Sequence, residues 1–336
     1  MKKTKKLLAC LIAAATMFTM GSTAFAAEAD ATPVDQETVT IHKQYKLIGE
    51  GTSPEETFTL EQVGSGKVTD GDAKSAPHLG TITGALFTKG AATASGITKD
   101  ITIELPTYEK VGVYEYILHE VNRNNAGVTY YENNIKLVVT VIQGENGKLR
   151  IAAVHTEAAN GEKSDTFENT YSANSLPVKK VVTGNLGDKE KLFDVTVTLK
   201  NNTGKTMASD ISYTAGGKEN TIKASDWDGT TVTKNIQLKN DQTITFTNLP
   251  FGVEYAVTEA DYTGNKGGYD APKYEYKKND KKISVTDQSV TITNNKNSDN
   301  IDTGINLTTL PYILVFAGVI VIAGAVFITR RRKYED

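Results

Sequence analysis

The sequence predicts an all-β protein, two antiparallel β-sandwiches in tandem, and three observations carry that prediction. Segments such as Val39-Thr40-Ile41-His42-Lys43-Gln44-Tyr45, Ile135-Lys136-Leu137-Val138-Val139-Thr140-Val141, Val195-Thr196-Val197-Thr198-Leu199 and Thr243-Ile244-Thr245-Phe246 carry β-branched and aromatic residues at period two. Clusters of Asn, Gly, Asp and Lys punctuate them as turns, among them Asn122-Arg123-Asn124-Asn125, Gly144-Glu145-Asn146-Gly147 and Asn265-Lys266-Gly267-Gly268. Helix-length apolar stretches occur only near the two ends of the sequence.

The first of these stretches reads as an export signal. Lys2, Lys3, Lys5 and Lys6 form a positive n-region, Leu7 to Met20 an apolar h-region, and Ala24-Phe25-Ala26 a small-residue cleavage site. Residues 1–26 are therefore expected to be removed by cleavage between Ala26 and Ala27. The sole cysteine, Cys10, lies inside that signal, so the exported chain has no disulfide to staple it. At the other end Leu310 to Thr329 is a run of 20 uncharged residues, about 30 Å long as a helix and enough to cross a bilayer core. The basic cluster Arg330-Arg331-Arg332-Lys333 holds the tail, 330–336, on the cytoplasmic side.

Charge excludes one class of partner. Between Ala27 and Thr303 the basic count falls from 37 to 29 and the acidic count from 40 to 38, a net charge near −9. Nucleic acid needs a basic footprint, so it is not expected as a partner. The roughly 275 residues that remain are enough for two domains of ordinary size.

A weak internal repeat marks where those domains divide. Gly112-Val113-Tyr114-Glu115-Tyr116-Ile117-Leu118-His119-Glu120 is echoed by Gly252-Val253-Glu254-Tyr255-Ala256-Val257-Thr258-Glu259, and Thr166-Phe167-Glu168-Asn169 by Thr291-Ile292-Thr293-Asn294. Each unit opens on a strand that holds a lysine, Lys43 or Lys180. The spacing from lysine to glutamate is 77 residues in the first and 79 in the second, taking 43 from 120 and 180 from 259. The expected domains are 27–172 and 173–297, joined near Ala173-Asn174-Ser175, with 298–336 as a separate tail.

Strand phase gives these residues chemical meaning, because alternate residues share a face. Lys43 falls with Val39, Ile41, Tyr45 and Leu47, and Lys180 with Leu176, Val178 and Val182, whereas Lys179 points the other way. Glu120 falls with Tyr114, Tyr116 and Leu118, and Glu259 with Val253, Tyr255 and Val257. Asn169 joins Phe167 and Tyr171, and Asn294 joins Val290 and Ile292. Six polar groups thus sit on faces expected to be buried. An unpaired buried charge is costly, and desolvation favours a neutral amine and a neutral carboxyl. A neutral lysine held against an asparagine carboxamide, with a glutamic acid donating to its oxygen, can attack and expel ammonia. The alternative for a single trio is a buried ion pair with asparagine as bystander; two trios in the same order favour the isopeptide bond.

The chain resembles the backbone pilins of Gram-positive sortase-assembled pili, of the two-domain streptococcal major-pilin type. The resemblance rests on Val178-Lys179-Lys180-Val181-Val182-Thr183-Gly184, Asn248-Leu249-Pro250-Phe251-Gly252-Val253-Glu254-Tyr255, Val257-Thr258-Glu259 and Thr291-Ile292-Thr293-Asn294, together with the tail. It implies two immunoglobulin-like, CnaB-related sandwiches, each closed by a self-formed isopeptide bond and needing no cofactor or metal. It implies that Lys43 bonds Asn169 with Glu120 assisting, and that Lys180 bonds Asn294 with Glu259 assisting. In the tail, Asn300-Ile301-Asp302-Thr303-Gly304 is similar to a sorting signal, cut by a pilin-type sortase between Thr303 and Gly304. It departs from the usual spelling by having Ile301-Asp302 where relatives carry a proline.

Further partners follow from the same resemblance. The Thr303 carbonyl is expected on a lysine of an identical subunit, and Lys163, in Asn160-Gly161-Glu162-Lys163-Ser164-Asp165, holds the matching position, with Lys179 and Lys148 behind it. Minor tip and basal pilins, and peptidoglycan reached through a housekeeping sortase, complete a pilus anchored to the cell wall that supports adhesion. A monomeric sortase-anchored adhesin is the alternative. A turnover enzyme is not expected, because the four histidines, His42, His78, His119 and His155, form no H-E-x-x-H, and no G-x-S-x-G is present.

Overall fold

The structure, a computed structural model, describes residues 36–144 and 147–298. Ala26 and Ala27, and the tail with Thr303, Gly304, its apolar run and basic end, lie outside the described residues. Within them the chain is all-β, as the alternation predicts, with two single 3-10 turns at Ala224–Asp226 and Gly264–Lys266. Among the described residues no helix is long and apolar enough to cross a membrane.

The first half holds β1 (Thr38–Gly49), β2 (Glu56–Phe58), β3 (Leu60–Gln62), β4 (Lys67–Gly71) and β5 (Ile82–Thr83). It continues with β6 (Ala85–Phe87), β7 (Ile97–Glu104), β8 (Gly112–Glu120), β9 (Ile135–Gln143) and β10 (Leu149–Glu157). An 18-residue strand, β11 (Thr166–Thr183), leads into the second half. There follow β12 (Phe193–Lys200), β13 (Ile211–Ala215), β14 (Lys218–Ile222) and β15 (Thr231–Leu238). The last are β16 (Thr243–Pro250), β17 (Glu254–Glu259), β18 (Lys273–Tyr276) and β19 (Val290–Asn295).

One sheet joins the two halves, in the order β14-β13-β16-β11-β1-β7-β5, with β19 also on β11 and β18 on β19. Sheet β10-β9-β8-β3, with β4 also on β8, completes the first half; β15-β12-β17 completes the second. Each half has its own apolar core. Ile41, Tyr45, Phe58, Phe87, Tyr116 and Leu137 are buried in the first, where the rings of Tyr45, Phe58 and Phe87 meet edge to face at 5.0–5.6 Å. Leu176, Val197, Phe246, Leu249 and Ile292 are buried in the second.

Two ladders differ from the antiparallel expectation. β1 pairs β11 in parallel, from His42 opposite Thr166 to Gly49 opposite Ala173. β11 pairs β19 in parallel, from Val178 opposite Val290 to Thr183 opposite Asn295. The first and last strands of each half enter from the same end, and the intervening strands serve as the long crossover that parallel pairing requires.

The segment Ala173-Asn174-Ser175, where a junction was expected, lies inside β11 and forms no linker loop. A register shift between Asn174 and Leu176 in the pairing with β16 absorbs the transition. Asn248 ties the halves together there. Its Oδ1 accepts from the Thr52 amide at 2.9 Å and from the Tyr171 hydroxyl at 3.0 Å, while its Nδ2 donates to the Asp210 carbonyl at 2.7 Å. Its backbone is left-handed, φ 64°, a conformation that asparagine tolerates better than most side chains. Asn248→Ala strands the buried Tyr171 hydroxyl and the Thr52 amide and is expected to cost about 2–4 kcal/mol, read as a lowered melting temperature; an unchanged melting temperature would remove Asn248 from this role.

Candidate functional site

The strand alternation carries the two lysines inward. β1 buries Val39, Ile41, Lys43 and Tyr45 in turn, and β11 buries Leu176, Val178, Lys180 and Val182 while Lys179 stays exposed. The Lys43 and Lys180 side chains are excluded from solvent almost completely, as are the carboxylates they face.

In the first half, Lys43 on β1, Glu120 at the end of β8 and Asn169 on β11 converge. The Lys43 Nζ donates to Glu120 Oε2 at 2.8 Å, and Asn169 Nδ2 donates to Glu120 Oε1 at 2.5 Å. The Tyr131 backbone amide donates to the same Oε2 at 2.7 Å. Glu120 therefore holds lysine and asparagine on its two oxygens. Asn169 Oδ1 is buried without a partner, an orphan acceptor beside a donor-rich cluster. The rings of Phe58 and Tyr131 lie 5.6 and 5.9 Å from the ammonium.

The second half repeats the arrangement on Lys180 of β11, Glu259 of β17 and Asn294 of β19. Lys180 Nζ donates directly to Asn294 Oδ1 at 2.7 Å, and Asn294 Nδ2 donates to Glu259 Oε2 at 2.6 Å. Glu259 Oε1 lies 3.1 Å from the ammonium as an ion pair, without hydrogen-bond alignment. The Glu259 amide donates to the Tyr274 hydroxyl at 2.8 Å, and the Phe193 ring sits 4.3 Å from Nζ.

Burial pushes both lysine amines below their ordinary range, against the opposing pull of Glu120 on Lys43 and of Glu259 on Lys180. Each site thus holds an amine drawn toward its neutral form, a carboxylate within reach of it, and a carboxamide fixed beside both. Among the described residues no group of three or more His, Cys, Asp and Glu is placed to hold a metal ion.

Lys163 is exposed and lies elsewhere, in a short hairpin that turns back along β10. It forms a bridge opposite Glu157, and the Ser164 amide donates to the Thr156 carbonyl at 3.1 Å. Lys148 is also exposed, and Lys179 lies 3.8 Å from Asp241.

The structure also reveals what the sequence reading passed over. Phe58, Tyr131 and Phe193 form the aromatic walls of the two sites. A third buried carboxylate, Glu56, accepts from Asn125 Nδ2 at 2.7 Å and the Tyr130 hydroxyl at 2.9 Å. Its signal was present, since Glu56 shares a strand face with Phe58.

Two inward-facing Lys-Glu-Asn sets, repeated in the two halves of an all-strand fold, are the features that set this chain apart. Comparison with known proteins narrows this. A family model described as the Spy0128-like isopeptide containing domain matches residues 39–172, and a domain of unknown function, DUF7601, matches 174–296. A pilin of Streptococcus pyogenes serotype M1 is 30% identical over 241 residues, covering 68% of this chain and 69% of that protein. The crystal structure of the major pilin from Streptococcus pyogenes matches with a TM-score of 0.53 at 26% identity, over 79% of this chain and 100% of the other. A glutamate-to-alanine variant of that pilin matches with a TM-score of 0.51 at 26% identity, over 78% and 99%. The chain belongs to the pilin family and is a structural subunit of a cell-surface pilus.

The charges in the first site set a measurable balance. Lys43→Met leaves Glu120 buried without a counter-charge and is expected to destabilise the first half by about 3–5 kcal/mol, whereas Lys43→Met with Glu120→Leu recovers most of that loss. Neither variant has the lysine, so the comparison isolates the buried charge. Urea denaturation followed by circular dichroism reads it, and a double variant no more stable than the single one would contradict it.

Proposed function

We propose that this pilin is the shaft subunit of a sortase-assembled pilus, stabilised by self-formed bonds from Lys43 to Asn169 and from Lys180 to Asn294. The observation that carries the reading is the pair of equivalent Lys-Glu-Asn sets, both with lysine and glutamate side chains shut off from solvent and both spanning a parallel strand pair that includes β11. The sandwiches are read as domains 27–172 and 173–297.

The reaction balances within each site. The lysine ammonium passes a proton to its glutamate, across 2.8 Å in the first site, and becomes a nucleophilic amine. The carboxamide turns over to bring Oδ1 to the glutamic acid, and nitrogen attacks the asparagine Cγ while that acid donates to Oδ1, stabilising the oxyanion of the tetrahedral intermediate. Collapse breaks the bond from Cγ to the amide nitrogen. Ammonia leaves, and the glutamic acid keeps the proton taken from the ammonium, so the site ends uncharged. The glutamate acts once, so no turnover results. Closing loops of more than 100 residues, 114 for Lys180 to Asn294, restricts the unfolded chain by about 4–5 kcal/mol if the disulfide relation applies.

Topology supports head-to-tail growth. β11 starts beside β1 near Lys163 and ends beside β19, from which the chain leaves toward Thr303. Its 18 residues span about 55–60 Å, so the acceptor lysine and the donor end lie at opposite ends of that strand. In this reading the signal is removed between Ala26 and Ala27, and the helix at 310–329 holds the subunit in the membrane. A pilin-type sortase cuts between Thr303 and Gly304 and transfers Thr303 to Lys163 of an identical subunit. Minor tip and basal pilins and a housekeeping sortase complete attachment to peptidoglycan.

Intact mass of the chain from Ala27 to Thr303 is expected to fall short of the sequence mass by two ammonia molecules, and a full mass would end the isopeptide reading. Glu120→Ala or Glu259→Ala should each restore one ammonia and make its half sensitive to trypsin; persistence of the bond would refute the assigned role. On cells, Lys163→Arg should collapse the ladder of cell-wall extracts to monomer. A persisting ladder moves the acceptor elsewhere, and a parent chain that gives a single band favours the monomeric adhesin.

A further inference from the structure

The face from which the chain leaves the second half is tightly built and carries exposed apolar side chains that the proposed bonds do not use. The Leu186 amide donates to the Lys296 carbonyl at 3.0 Å, the Asn185 amide to Asn297 Oδ1 at 3.1 Å, and the Ser298 amide to Asn185 Oδ1 at 3.0 Å. Gly184 makes this contact possible: its φ is 90°, and a Cβ there would lie 2.2 Å from the Lys296 carbonyl oxygen. The exiting chain is thereby fastened to the 184–187 turn as far as Ser298.

Thr303 follows Ser298 by only five residues, a span of at most about 18 Å fully extended. If Thr303 is joined to Lys163 of another copy, the exit face cannot swing far from that copy's surface. The same loop exposes two leucines, Leu186 at 50% and Leu192 at 49%. Beneath Leu192, Phe193 packs edge to face with Tyr262 and Tyr269 at 4.9 and 5.3 Å, a firm base for the loop.

The acceptor side offers a matching surface. β10 is the outer strand of its sheet, and its half-buried stretch Ile151-Ala152-Ala153-Val154 carries no charge, with Ile151 and Val154 packed in part against the first core. The hairpin with Lys163 continues from that strand, and Ala159 is exposed at its turn. Water is displaced from both surfaces when they meet, so apolar burial favours contact before any bond forms.

We infer that the exit loop, through Leu186 and Leu192, docks on the surface around Lys163 of the next copy of this chain and aligns it for acyl transfer. The inference rests on the reading of Thr303 and Lys163 as the joined ends. The contact is small, so it orients an encounter rather than holding a stable dimer.

The test uses the full chain on cells that polymerise the parent. Leu186→Ser with Leu192→Ser should slow the growth of the ladder on the order of tenfold, while both ammonia losses persist and show that the fold is intact. An unchanged ladder overturns the inference. In a second chain, Leu192→Cys with Ala159→Cys, the otherwise cysteine-free exported protein should form a disulfide between neighbouring subunits of the pilus, found by peptide mapping. A ladder without that disulfide also overturns it. A parent chain that gives a single band would instead remove the Thr303–Lys163 joint, an outcome distinct from parent and variant ladders that match.

Discussion

Two ammonium groups inside apolar sandwiches set the terms for the rest of this protein. A lysine buried without compensation costs several kcal/mol, more than most single contacts return. Lys43 and Lys180 are tolerated because each meets a carboxylate from a strand of the opposite sheet. That requirement places the end of β8 over β1 and the end of β17 over β11, across the two sandwiches. Each asparagine donates to one oxygen of its carboxylate, and so is brought beside the amine. In the proposed reaction the buried charge is then removed altogether, since a neutral amide replaces the ammonium.

β11 connects the two solutions. It carries Asn169 of the first site and, eleven residues later, Lys180 of the second. Pulled from β1 at one end and from β19 at the other, a chain with both bonds transmits force through the part of β11 between them. The other strands of either sandwich are bypassed. The sandwiches then serve as molds that assemble and shield the sites.

The contacts between the halves are polar and specific rather than a continuous apolar seam. Lys205 donates to the Val128 carbonyl at 2.7 Å, Asn124 to the Gly204 carbonyl at 3.0 Å, and Asn248 links Thr52, Tyr171 and Asp210. Ala126, from the first half, is buried in the second core. Glu56 steadies the loop that makes these contacts by accepting from Asn125 and Tyr130. Bonds of this kind depend on angle, so they restrain the relative orientation of the halves.

Much of this was legible from residue order, and the limits have physical causes. Alternation gave the strands, and phase alone set Lys43, Glu120, Asn169, Lys180, Glu259 and Asn294 on inward faces, because a pleated strand permits only two. The same pattern carries no information on the direction of a partner strand, so an antiparallel sandwich is the simplest expectation from it and the two parallel ladders are not visible in it. Asn174 and Ser175 look like turn formers. In the folded chain Asn174 spends its side chain on the Ser284 carbonyl and the Ser175 amide, and the strand runs on. The sequence by itself thus determined which groups must be buried together, since the cost of burying charge is local to each residue. Tertiary structure alone decided how they meet: which carboxylate oxygen takes the lysine, which rings wall the site, and that one strand serves both halves. Those outcomes depend on pairings between residues distant in sequence, 77 positions for Lys43 and Glu120 and 114 for Lys180 and Asn294.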